Sequence, residues 1–99
     1  MARLDRDALL QAITAAVSAT PDPEGLADLV ASKGRINVAA TSAEIAPAIK
    51  RLTPLQGYRW IAINGGDLFT ASPLTMSTKV GILDATGKVL KNADLPRAK

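Results

Sequence analysis

The sequence predicts an α+β fold: two or three N-terminal helices packed on a mostly antiparallel sheet of four or five strands, made of two C-terminal hairpins. Three observations carry this expectation. Apolar residues recur at helical spacing through most of the first 52 positions. From Gly57 onward the apolar period shortens towards two, as in strands. Two turn signals, Asn64-Gly65-Gly66-Asp67 and Asp84-Ala85-Thr86-Gly87, then separate short apolar runs. At 99 residues the chain is the size of one domain.

The first helix is expected over residues 5–19. Asp5 is a good N-cap and Asp7 suits the positive end of the helix dipole. Leu9, Leu10, Ile13, Ala16 and Val17 form its buried stripe, and Thr20-Pro21 ends it. A second helix is expected over 22–33, with Asp22 as N-cap, Pro23 in the first turn and Gly34 as the stop. Residues 35–40 alternate, with Ile36, Val38 and Ala40 on one face, and read as a half-buried strand. Thr41 and Glu44 fit a capping box for a third helix over 41–52. Pro47 lies beyond its first turn, so either the helix bends there or 41–46 is a separate turn. A crossover from strand 35–40 through this helix to strand 58–63 is long enough to be parallel.

Strands 58–63 and 68–71 should form a hairpin across Gly65-Gly66, with Pro73 ending the second. In either turn register Ile61, Ile63 and Leu68 share one face, and Tyr58, Trp60 and Phe69 the other, because strand faces alternate. The latter are the only aromatic residues in the chain. Strands 79–83 and 88–90 should form the second hairpin, and 92–99 a flexible tail.

Composition excludes several function classes. With no Cys and no His there is no disulfide, thiol nucleophile, imidazole base or Cys/His zinc site. Gly81 to Lys88 has five residues between its glycines where a phosphate loop has four, and Val89 where Ser or Thr should follow. Glu24 and Asp28 supply too few oxygens for a hard metal ion. Nothing selects a Ser/Lys dyad among Ser72, Thr75, Ser77, Thr78 and Lys79. No cofactor and no enzymatic activity are expected. No apolar run approaches the roughly 20 residues of a membrane span. Residues 8–19 resemble a secretory core, but Asp5, Asp7 and Gln11 fit an amphipathic helix better. A cytoplasmic location is expected.

Two functional expectations follow. The first is a non-enzymatic protein-interaction module that self-associates or docks a protein partner through an aromatic sheet face of Tyr58, Trp60 and Phe69. The second is a small nucleic-acid-binding regulator using Lys50, Arg51 and Arg59. The net charge of +3 is uneven: residues 1–49 carry −2 and residues 50–99 carry +5. Helices, a helix ending in Lys50-Arg51 and a Gly-tipped hairpin are together similar to a winged helix. The chain departs from it in the strand at 35–40, in Pro47, and in Asp67 at the hairpin tip.

Overall fold

The computed structural model describes residues 3–95. Its fold is α+β, with three α-helices and one six-stranded sheet. In chain order these are α1 (Arg6–Val17), β1 (Thr20–Pro21), β2 (Leu29–Ala31), β3 (Gly34–Ala39), α2 (Ser42–Leu52), β4 (Arg59–Ile63), α3 (Leu68–Thr75), β5 (Gly81–Leu83) and β6 (Val89–Lys91). The strands lie side by side in chain order. Three of the five pairings are antiparallel; β3–β4 and β4–β5 are parallel.

Asp5 caps α1 as expected, its carboxylate accepting the Ala8 amide at 2.8 Å. The helix stops two residues early, because Ser18 turns left-handed (φ 54°) and the Ala19 amide closes back onto the Thr14 carbonyl.

The expected second helix is absent. Residues 20–31 form the short strands β1 and β2 instead. Asp22-Pro23-Glu24-Gly25, which matches a helix start, is also the favoured composition of a β-turn: Asp first, Pro second, Gly fourth. The Gly25 amide donates to the Asp22 carbonyl, and Gly25 has φ +69°. The Asp22 side chain accepts the amides of Glu24 and Ala27 and the Arg35 guanidinium. One side chain thus ties the turn to the start of β3.

Strand β3 and the parallel crossover through α2 occur as the pattern predicts. Residues 36–39 of β3 are buried on both faces rather than on one. Asn37, expected outside, donates to the Ala48 carbonyl of α2 and accepts the Asp28 amide. Helix α2 runs unbroken through Pro47, which faces outward. The capping pair forms with a shifted target: Glu44 accepts from the Thr41 hydroxyl and from the Ala40 amide.

The hairpin at Asn64-Gly65-Gly66 is overturned. After β4 the chain enters a 3-10 turn over Gly65–Asp67 and then α3, which carries it across to β5 in parallel. Neither Gly65 nor Gly66 has positive φ. The residues therefore start a helix instead of reversing a strand. Two successive crossovers advancing the same way put α2 and α3 on one face of the sheet. There Ile45, Ile49 and Ala71 pack on Ile61, Ile63 and Ile82. Helix α1 covers the other face, with Leu9 and Ile13 against Ile36, Val38, Trp60 and Leu83. The second hairpin forms where expected, with the Gly87 amide on the Asp84 carbonyl, Gly87 at φ +82° and a bulge at Ile82/Leu83. Of the tail at 92–99, residues 96–99 lie outside the described residues.

Both sheet edges are poor templates for another strand. β1 is two residues long and ends in Pro21. β6 is three residues long and carries Lys91, whose ammonium reaches the Thr75 hydroxyl.

The Asp22 carboxyl is held below the ordinary carboxylate range, chiefly by the Glu24 amide, with the Ala27 amide and Arg35 adding to it against the opposing effect of burial. A group depressed in the folded state binds fewer protons there than in the unfolded chain. Its contribution is full above about pH 4 and is lost as pH falls through the folded value. Asp84 acts in the same sense: its burial opposes ionisation, but donation from Thr86 and Lys88 outweighs that. The urea midpoint is therefore expected to fall on acidification below about pH 4. Asp22→Asn should lower the midpoint at neutral pH and flatten the decline.

Candidate functional site

The predicted site residues are dispersed by the fold. Trp60 points from β4 into the α1 side of the core and is 7% exposed. Its indole N–H donates to the Lys33 carbonyl at 2.8 Å, and the Lys33 ammonium lies 5.2 Å from the ring centroid. Both needs of a buried tryptophan, an apolar bed and a hydrogen-bond partner, are met within the chain. Tyr58 precedes β4 and is half exposed. Phe69 lies on α3, not on a strand, and is 91% exposed. No aromatic sheet face exists: α1 covers the side on which Trp60 lies. The parity of Ile61 and Ile63 against Trp60 holds, since all three are on β4. It fails for Phe69 because the chain changes from strand to helix between them.

What the fold exposes instead is the outer face of α3. Ala71 and Thr75 face the sheet. Phe69, Pro73 and Met76 fall at positions i, i+4 and i+7 and form one outward stripe, flanked by Thr70 and Leu74. Met76 is 75% exposed, and Leu74 is exposed too. Residues 68–78 contain no charged side chain at all. A surface helix ordinarily carries charge on its solvent side. Leu26, Val89 and Leu95 are also exposed, as surface apolar residues commonly are. Sequence reading missed this face because it assigned 68–71 to a strand. The unbroken absence of charge from Leu68 to Thr78 was the available signal.

The basic candidates also separate. Arg59 is 1% exposed, at the start of β4. Its guanidinium donates to the carbonyls of Leu52 and Thr53 at the end of α2 and of Thr78 beyond α3. Among the described residues its Nε finds no acceptor and no carboxylate pairs with it. Desolvation lowers its pKa. Arg59 therefore neutralises carbonyl ends and offers no surface to a phosphate. Lys50 and Arg51 are exposed on α2 and form no ion pair among the described residues. They line a groove of about 490 Å³ with Arg6, Val38, Ala43, Glu44 and Pro47.

The usual ligand crevice of parallel strands, beyond their carboxyl ends, is filled by the chain's own N-terminal segment. Arg3 donates to both carboxylate oxygens of Asp67, at 3.0 and 2.6 Å, and to the Ala40 carbonyl. Asn64 exchanges hydrogen bonds with the Leu4 backbone and donates to the Ala40 carbonyl. Among the described residues no group of three or more metal-ligating side chains occurs, and no helix is long and apolar enough to cross a membrane.

Comparison with protein-family models, with curated proteins and with solved structures finds no match to the chain.

Proposed function

We propose that this chain is a non-enzymatic interaction module that self-associates through the outer face of α3, with Phe69 as its anchor. The observation that carries the reading is an aromatic side chain 91% exposed within an uncharged eleven-residue segment, 68–78. An uncovered apolar helix face of this kind is a recognised mark of an interface, and aromatic residues and methionine are enriched at interface centres.

A second copy is the occupant that the charge pattern favours. Two chains of net charge +3 repel at long range. A two-fold interface places the same patch on both partners, so a patch without charge brings no like charges together. Strand addition is the competing route to self-association, and the Pro21 and Lys91 edges oppose it. Tyr58 and Trp60 are not part of the interface in this reading.

The test is mass by light scattering or sedimentation over a wide concentration range. The native chain is expected to move towards twice its monomer mass, and Phe69→Asp to remain monomeric with an unchanged unfolding midpoint. A native chain that stays monomeric at millimolar concentration overturns the proposal.

A further inference from the structure

We infer that the groove between α2 and the unpaired edge of β3 binds a small organic anion, with its charged head on Lys50 and Arg51 and its apolar body against Ala43 and Pro47. The site exists because β2 is shorter than β3. Pairing between them ends at Leu29↔Ile36, and β3 continues to Ala39 without a strand partner on that side. The exposed backbone there is met by side chains: Asp28 accepts the Val38 amide, and Arg6 donates to the Val38 carbonyl at 3.1 Å and to Asp28. Helices α1 and α2 cover opposite faces of the sheet beside this notch, and the space left there is the groove of about 490 Å³. It is an open groove with room for a small ligand, not an enclosed cavity.

The helix geometry concentrates charge at one end of the groove. Pro47 is central on the outer face of α2. Ala43 and Glu44 precede it by one turn, and Lys50 and Arg51 follow it by one turn. Cations in the last turn of a helix ordinarily answer the negative end of its dipole. Here Arg59 already does so, donating to the Leu52 and Thr53 carbonyls from within the core. Lys50 and Arg51 are thus surplus to that role and without ion pairs among the described residues. The acids nearby are committed, Glu44 to the helix start and Asp28 to the β3 rim. Glu44 lies at the other end of the groove, which places an anionic head at the Lys50/Arg51 end. Two unpaired cations beside the exposed Ala43 and Pro47 side chains fit one compact head group better than a long phosphate track, which needs many contacts in a row.

Amide chemical shifts followed during titration with phenyl phosphate, benzoate, inorganic phosphate and a short DNA duplex test this. Saturable binding of phenyl phosphate or benzoate is expected, tighter than inorganic phosphate, with shifts at Ala43, Glu44, Lys50 and Arg51. The order of the two organic ligands identifies the preferred head. Lys50→Ala/Arg51→Ala should weaken binding about ten-fold or more, and Glu44→Gln should tighten it. Lys88→Ala, at the opposite edge of the sheet, should leave it unchanged. Equal affinity for inorganic phosphate, shifts spread over all lysines, or no effect of the double substitution overturns the inference. So does tighter binding of the duplex at the same amides with a steep salt dependence, which assigns the surface to nucleic acid instead.

Discussion

Gly81→Ala is expected to destabilise the domain by about 3 kcal/mol, while the same change at Gly66 is expected to be neutral or mildly stabilising. Gly81 pairs with Trp60 across the parallel β4–β5 ladder. A Cβ at Gly81 would lie 2.5 and 2.6 Å from two carbons of the Trp60 ring and 2.6 Å from the Ala93 backbone nitrogen. The ring cannot shift freely, because its N–H is fixed on the Lys33 carbonyl. The backbone of Ala93 closes the other side. Overpacking at such a point costs about 1–3 kcal/mol, and losing the indole hydrogen bond adds about 1 kcal/mol. Gly66 has open space around its Cβ position and no positive φ. A hairpin turn at that place would instead make Gly66→Ala costly, so the pair of substitutions separates the two topologies. Urea unfolding measures both. In a double-mutant cycle, Trp60→Leu is expected to recover part of the Gly81→Ala loss, because the smaller side chain vacates the contested space.

Arg59→Met carries the second large effect, about 3 kcal/mol of lost stability at neutral pH. Isolated buried cations are costly, and Arg59 has no carboxylate partner among the described residues. What compensates it is the convergence of carbonyls from two crossovers: Leu52 and Thr53 at the end of α2, Thr78 after α3. The planar fork spans acceptors that lie apart, and a single ammonium cannot. Arg59→Lys should therefore fail to restore stability, whereas an electrostatic role alone would let it succeed. Unfolding midpoints of the three proteins decide between these. A near-native Arg59→Met would mean that water satisfies the freed carbonyls.

The sequence made legible those elements whose signals are local and unopposed. The Asp5 cap, the alternation at Ile36 and Val38, the capping pair Thr41–Glu44 and the Asp84–Gly87 turn all report structure within a few residues of themselves. Two misreadings share a cause: one local signal served two structures. Asp22-Pro23-Glu24-Gly25 suits a helix start and a β-turn equally, and the ion pairs of Arg35 with Asp22 and Glu24 draw it to the turn. Asn64-Gly65-Gly66 suits a hairpin, but the Asn64 side chain is bound to Leu4 and Ala40, and Asp67 to Arg3. Those partners lie 24 to 64 positions away, beyond the reach of any window-based reading. The same error hid the candidate interface. Phe69 was expected beside Tyr58 and Trp60 on a sheet face, and its place on a helix moves the exposed side chain to α3. Arg59 shows the converse: its residue type suggested a surface contact, and only the meeting of two helix ends explains its burial.

The sheet is covered on both faces by the chain's own helices, and the interface proposed above is the outer face of α3. Hydroxyl-radical footprinting at low and high protein concentration separates this arrangement from an exposed aromatic sheet face. Phe69 and Met76 should be strongly labelled when dilute and protected when concentrated, with Trp60 protected throughout and Tyr58 labelled in both conditions. Strong labelling of Trp60, or protection that spares Phe69 and Met76, would contradict it.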